Sequence, residues 1–155
     1  MNYLIRKAVL NDTKNINELL TLLIQDEKNY DSNINENCVV ERLYEDIIPY
    51  DTNIVLVAEM NNEIIGYLFG YLMNNGDAYL NKISKLEALY VKNKYRNNGI
   101  ATNLIKEFKL WSLNHDVKYI EVQVLNDNVK ALSLYAQEGF NKFKSTLIST
   151  IDEEK

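Results

Sequence analysis

The stretch Leu89-Tyr90-Val91-Lys92-Asn93-Lys94-Tyr95-Arg96-Asn97-Asn98-Gly99-Ile100-Ala101-Thr102 gathers what is needed to hold an anion. An apolar, strand-like run ends near Val91, a polar and basic loop follows, and a helical pattern begins at Gly99. The first backbone N–H groups of a helix have no acceptor inside it, and the peptide dipoles place partial positive charge at that end. Gly99 and Ala101 are small enough for a phosphate to approach the backbone, and Lys94 and Arg96 add full charges nearby. Taken alone, the same residues also describe a turn eased by Gly99 with Arg96 in solvent. Two phosphate loops are excluded, because neither G-x-G-x-x-G nor G-x-x-x-x-G-K-[ST] occurs.

Other chemistries find little support. Cys38 and His115 are the only residues of their types, so neither an internal disulfide nor a zinc site of the usual ligands is expected, and no metal is implied. Ser112, His115 and Asp116 are neighbours at a helix end, which does not orient a catalytic triad. The net charge of −5, with no lysine- or arginine-rich stripe, argues against nucleic acid and suits a cationic partner such as an amine. No apolar run is long enough to span a bilayer, and the opening Met1-Asn2-Tyr3-Leu4-Ile5-Arg6 lacks the pattern of a secretory leader. A cytoplasmic location without membrane contact is the expectation.

The elements that would position the loop follow from periodicity. Tyr3 to Val9 predicts a strand, and Asn11-Asp12-Thr13 caps a helix carrying Ile16, Leu19, Leu20 and Leu23 on one face, ending near Asp26. Val39 to Ile48 predicts a second, shorter helix stopped by Pro49. Asn53 to Met60 and Ile64 to Met73 read as strands joined through Asn61-Asn62, since asparagine tolerates the positive φ of a tight hairpin. Strands are expected at Ile83 to Lys92 and at Tyr119 to Leu125, with a helix through Ile100, Leu104, Phe108 and Trp111 between them. A last helix holds Val129, Leu132 and Ala136 and stops at Gly139, and Phe143 to Ile151 predicts a final strand. The order gives one α/β domain over residues 1–155: antiparallel strands first, then a parallel crossover, with helices on both faces of a mixed sheet.

Two segments resemble N-acetyltransferases of the GNAT superfamily. Arg96-Asn97-Asn98-Gly99-Ile100-Ala101, preceded by Leu89-Tyr90-Val91, is similar to the family's [RQ]-x-x-G-x-[GA] motif. Downstream, Asn128-Val129-Lys130-Ala131-Leu132-Ser133-Leu134-Tyr135 and Gly139-Phe140 are similar to its N-x-x-A-x-x-x-Y-x-x-x-G-F segment, in the family's order and separation. Ile5-Arg6-Lys7-Ala8 with Asp12 looks like the family's opening.

The resemblance implies acetyl-coenzyme A as co-substrate and an amine as acceptor. It implies that the backbone of Leu89, Tyr90 and Val91 pairs with the pantetheine arm as an added strand would. The amides of Asn97, Asn98, Gly99, Ile100, Ala101 and Thr102 would hold the pyrophosphate, with Arg96 shaping or charging the loop. Asn128 would contact the coenzyme arm, or alternatively cap its own helix. Tyr135 would protonate the departing thiolate, and Glu87 would accept the proton of the attacking amine. Acceptor walls are expected from the first two helices and the loop from Asn74 to Lys82, with Asp26, Asp31, Glu45 and Asp46 attracting a cation and Tyr30 and Tyr44 packing on it. The acceptor is a small-molecule amine, a peptide N-terminus or a lysine, and a homodimer is allowed. Two other readings stay open: a coenzyme-A-binding regulatory module without turnover, and an α/β interaction domain.

Overall fold

The computed structural model describes residues 1–152. Its chain order is β1 (Leu4–Lys7), α1 (Thr13–Glu27), β2 (Asn53–Met60), β3 (Glu63–Leu72), β4 (Lys82–Val91), α2 (Ile100–Asn114), β5 (Val117–Val122) and α3 (Val129–Gln137). The strands form one sheet in sequence order, β1-β2-β3-β4-β5. The first three pairings are antiparallel and β4–β5 is parallel, as a helical crossover requires. Asn61 and Asn62 make the β2–β3 hairpin with φ of 51° and 62°. Both central residues are left-handed, the geometry that matches the twist of the flanking strands.

Each face of the sheet is covered. Ile16 and Leu19 of α1 pack on Val57, Tyr67, Phe69 and Tyr90. On the other face Ile100, Leu104, Phe108 and Trp111, spaced four, four and three residues apart, bury the inner side of α2 against Leu56, Leu68 and Leu86. A Cβ at Gly70 would overlap the Phe108 ring, so α2 lies where it does partly because β3 has no side chain at that point. Among the described residues no helix is long and apolar enough to cross a membrane.

Two expected elements do not form. Residues 39–48 run as successive turns instead of a helix. Their backbone is satisfied by the side chains of α1: Val40 N–H donates to Thr21 Oγ1 at 3.0 Å, Tyr44 N–H to Asn17 Oδ1 at 3.3 Å, and Asn17 Nδ2 to the Glu41 carbonyl at 3.3 Å. These bonds compete with a helical ladder, and one fully buried side chain, Tyr44, fixes the segment. Its hydroxyl donates to or accepts from Tyr67 at 3.1 Å, and its ring stands edge-on to Phe69 at 5.7 Å. The strand expected over Phe143–Ile151 is also absent. Residues 141–152 make no backbone bond to any strand and every one is exposed, although Lys144 Nζ reaches Glu121 Oε1 of β5 at 2.8 Å.

The opening of the chain is fixed by charge. Arg6 Nη1 donates to Asp12 Oδ2 at 2.7 Å and Nε to Glu59 Oε2 at 2.6 Å, tying β1 to β2 and to the start of α1. The hydrogen bond from Arg6 holds the Asp12 carboxyl below its ordinary 3.8, against the opposing effect of burial. A depressed folded-state pKa stabilises at pH values above the ordinary one and loses its effect as pH falls through the lower. Asp12→Asn should therefore cost about 1–3 kcal/mol at neutral pH. In urea unfolding measured from pH 7 down to pH 2, the gap between variant and parent should narrow below about pH 4.

Candidate active site

The register of β4 creates the site. Phe69 pairs with Ala88 while Gly70 pairs with Leu86, so Glu87 is an extra residue, a β-bulge. On its other side β4 pairs with β5 only from Lys82 to Leu86, opposite Val117 to Val122. From Glu87 to Val91 the edge that faces away from β3 has no strand partner. A bulge twists and bends its strand, which separates β4 from β5 at this level. The gap leads into the loop before α2.

That loop is held from behind. Arg96 Nε donates to the Val91 carbonyl at 2.8 Å, Nη2 donates to Asp26 Oδ2 at 2.9 Å, and the guanidinium lies 5.1 Å from the Tyr90 ring centre. Asn98 Nδ2 bonds the carbonyls of Tyr95 and Arg96 at 3.1 and 3.0 Å. Asn97 and Gly99 both take left-handed backbone conformations, with φ of 62° and 75°. As a result the amides of Asn97 to Thr102 have no acceptor among the described residues, and the first helical bond of α2 is Asn103 N–H to the Gly99 carbonyl. Nothing lies within 4 Å of a Cβ built on Gly99, so the space beside it is open. A run of backbone amides without acceptors at a helix start has the chemistry of an anion nest.

The cations expected to assist are turned elsewhere. Arg96 grips Val91 and Asp26, and Lys94 sits 3.8 Å from Glu63 and over the Tyr95 ring. Asn128 caps α3, its Oδ1 accepting the Ala131 N–H at 3.2 Å, which leaves Nδ2 for a ligand. Tyr135, on α3, is buried in the α2-side core with its ring edge-on to Phe140 at 5.5 Å. Its hydroxyl has no protein partner yet is not sealed from solvent. Burial, helped by the charge of Glu27, holds its pKa above the usual phenol range.

Glu87 and Lys85 point to the same side of the sheet and form an ion pair at 3.1 Å. Leu86 lies in the α2-side core, so Lys85, and the Glu87 carboxylate paired with it, face the α1 side. The expected acidic cluster is not gathered as such. Asp26 holds Arg96, Asp46 pairs with Arg42 at 3.6 Å, Glu45 bonds Asn17, and Asp31 caps its own turn through the Asn33 amide. Tyr44 is buried and offers no face to a cation. A further carboxylate is that of Glu27, the last residue of α1. Burial raises its pKa, and its charge reaches both Tyr67 and Tyr135. It was legible in principle: Ile16, Leu20, Leu23 and Glu27 continue one helical stripe, so an acid falls where the pattern asks for an apolar residue.

The model of the acetyltransferase (GNAT) family matches residues 19–140, which include the bulge, the loop, α2 and α3. The chain belongs to this family. Solved structures share the family fold. A mutant of the BH1408 protein from Bacillus halodurans superposes with a TM-score of 0.85 at 19% identity, over 96% of this chain and 99% of that one. Ribosomal-protein-alanine N-acetyltransferase from Brucella melitensis gives 0.75 at 16%, over 97% and 100%. The aminoglycoside N-acetyltransferase AAC(6')-Iy, bound to a bisubstrate analogue built on coenzyme A, gives 0.73 at 16%, over 98% and 99%. At these identities the likeness is one of fold, and this family member's own chemistry rests on its residues.

The geometry gives Arg96 a structural task. Arg96→Ala and Arg96→Lys should both speed hydrogen exchange at the bonded amides of Lys92, Tyr95 and residue 96, because a lysine cannot reach Val91 and Asp26 together. Global stability should fall by no more than about 1 kcal/mol, since the ion pair is half exposed.

Proposed function

We propose that this chain is an N-acetyltransferase that moves an acetyl group from acetyl-coenzyme A to a primary amine, working as one domain over residues 1–155 in the cytoplasm. The observation that carries the reading is the run of unpaired amides from Asn97 to Thr102, set beside the unpaired edge of β4. The donor set fits the coenzyme: a pyrophosphate needs many N–H donors converging on an open space, and an extended amide arm needs a free strand edge. The amides would hold the pyrophosphate, and Leu89, Tyr90 and Val91 the arm, with Asn128 Nδ2 as a further donor. When bound, acetyl-coenzyme A supplies the activated acyl group as a thioester.

The protein's own contributions divide across the sheet. Glu87, on the α1 side, is positioned to take a proton from an incoming ammonium, directly or through water. Glu27 adds negative charge to the same approach and favours a cationic acceptor. Tyr135, on the other side of the parted strands, holds a proton at Oη for the departing sulfur. The acceptor is a small-molecule amine or a protein amine, and solved structures of the same fold carry names of both kinds.

Thermal unfolding should respond to acetyl-coenzyme A and not to ATP or NAD. At a hundred times the dissociation constant the stabilisation is about 2.7 kcal/mol, a shift of a few degrees. A shift without turnover on polyamines, aminoglycosides and peptides would instead mark a binding module. No shift in folded protein would refute the assignment.

Tyr135→Phe should lower kcat by about 10²-fold or more while leaving the affinity for acetyl-coenzyme A within a few-fold. Because the Tyr135 proton is held above the usual phenol range, the parent enzyme's rate should not fall on the alkaline side below about pH 10 through loss of that proton. Glu87→Gln should lower kcat/KM for the amine by about 10²-fold or more, whereas Glu27→Gln should leave kcat near the parent's and raise KM for the amine.

A further inference from the structure

β4 carries two opposite charges at the level where its outer edge becomes free. Lys85 Nζ lies 3.1 Å from Glu87 Oε2, and the two residues flank Leu86, the last residue of β4 that pairs with β5. The pair is open to solvent, its side chains being 18% and 44% exposed. It also has bonding capacity to spare. An ammonium has three N–H groups. One of those on Lys85 is directed at Gln123 Oε1 at 3.4 Å and a second at Glu87, which leaves one. Glu87 is engaged through Oε2, and its Oε1 takes no hydrogen bond among the described residues. Burial on its own would lower the Lys85 pKa, but contact with Glu87 and the charges of Glu87, Tyr71 and Glu121 raise it on balance, so Lys85 stays an ammonium.

The charges continue in alternation across the sheet. Glu121 is the register partner of Lys85 on β5, and its Oε1 accepts from Lys144 Nζ at 2.8 Å. Glu87, Lys85, Glu121 and Lys144 thus follow one another with signs that alternate and cancel. Such a row gives a polycation no net attraction, because a second ammonium meets Lys85 or Lys144 as a like charge. It suits a ligand that carries both signs itself.

We propose that Lys85 and Glu87 together read a zwitterion: the acceptor is an amino acid whose amine meets Glu87 Oε1 and whose carboxylate takes the free N–H of Lys85. The proposal rests on acetyl transfer to an amine being the reaction, and it names the class of that amine. In an α-amino acid the nitrogen lies roughly 2.5–3.5 Å from the carboxylate atoms, by ordinary bond lengths and angles. The separation of Lys85 Nζ from Glu87 Oε2 is 3.1 Å, so the four charges form a square in which every neighbour is of opposite sign. The internal pair stays intact and no charge is left without a partner. An amine without a carboxylate shares Glu87 with Lys85 and leaves the third Lys85 N–H unanswered. Tyr71, directly across from Lys85 on β3 and 5.8 Å from the Phe69 ring between centres, offers apolar surface to the rest of the acceptor.

The test is acetyl transfer from acetyl-coenzyme A to each of the common α-amino acids and, in parallel, to its carboxamide, which keeps the amine and removes the carboxylate. For the amino acid that is accepted, KM should be at least about tenfold below KM for its amide. Lys85→Met should abolish that ratio, and Lys85→Arg, which keeps the cation, should retain most of it. A loss of packing or folding would move both acceptors together, so the ratio reports the charge on residue 85. Equal KM for amino acid and amide in the parent would overturn the proposal, as would a ratio that Lys85→Met leaves in place. So would turnover confined to diamines or peptides. Thermal unfolding with acetyl-coenzyme A in the same samples separates two levels of failure. A shift without preference for the amino acid overturns the acceptor class alone, and no shift overturns the acetyl transfer beneath it as well.

Discussion

β4 is paired with β3 from Ser84 to Val91 on one side but with β5 only from Lys82 to Leu86 on the other, and the rest of the site follows from that mismatch. The extra residue at Glu87 is what makes it possible. Without the bulge, β4 and β5 could continue side by side and close the sheet, with the backbone of Leu89 to Val91 spent on a ladder. With the bulge, two things arise together. A strand edge is freed, and Glu87 is turned to the side that holds Lys85. A single local irregularity thus supplies a free edge and a carboxylate beside it.

The loop beyond β4 shows how a cation can serve an anion site without touching the anion. Arg96 is spent on the Val91 carbonyl and Asp26, and so it fixes where the strand ends and where the loop turns. Asn98 ties the loop to itself, and Asn97 and Gly99 accept the left-handed geometry that points successive amides outward. Preorganised amides stay in place when a charge arrives, whereas a long cationic side chain would have to be ordered first. The nearby lysines lean on Glu63, which keeps the mouth of the site from being crowded by flexible side chains.

Much of this was legible in the sequence, and the exceptions have physical causes. The apolar spacing of Ile100, Leu104, Phe108 and Trp111 located α2, and Asn61-Asn62 located the hairpin, because each signal is local and the structure obeys it. The bulge was not legible. Nothing in Lys85-Leu86-Glu87-Ala88 says that one residue will be left over, since register depends on β3 and on the missing side chain at Gly70. The helix expected over Val39–Ile48 failed because hydrogen-bonding side chains of α1, distant in sequence, captured its backbone, and Tyr44 traded a surface role for the core. The partners of Arg96 were hidden for the same reason, since which atom a side chain serves is a tertiary fact, whereas the cap made by Asn128 was one of the two readings its local sequence offered. The strand expected over Phe143–Ile151 is a different matter, because the sequence pattern is sound and the missing quantity is a ladder of backbone bonds.

In the proposed reaction Tyr135 is the acid, and its environment bears on how a group so reluctant to ionise would still donate. Burial and the charge of Glu27 both disfavour the phenolate, which on its own would make the hydroxyl a poor donor to a thiolate. The same surroundings, however, act on whatever sits beside the hydroxyl. A sulfur leaving in that pocket would have lost its water and would face the same negative charge, so its anion is raised in energy along with the phenolate. What governs transfer is the difference between the two, and a shared environment largely cancels from it. What does not cancel is the effect on a bystander: with the phenol kept neutral, no second anion competes for the amides at the head of α2. In the proposed function this keeps the positive ends of those amides for the coenzyme and the carboxylates of Glu27 and Glu87 for the amine, so that one small sheet would hold a polyanion and a cation within reach of each other.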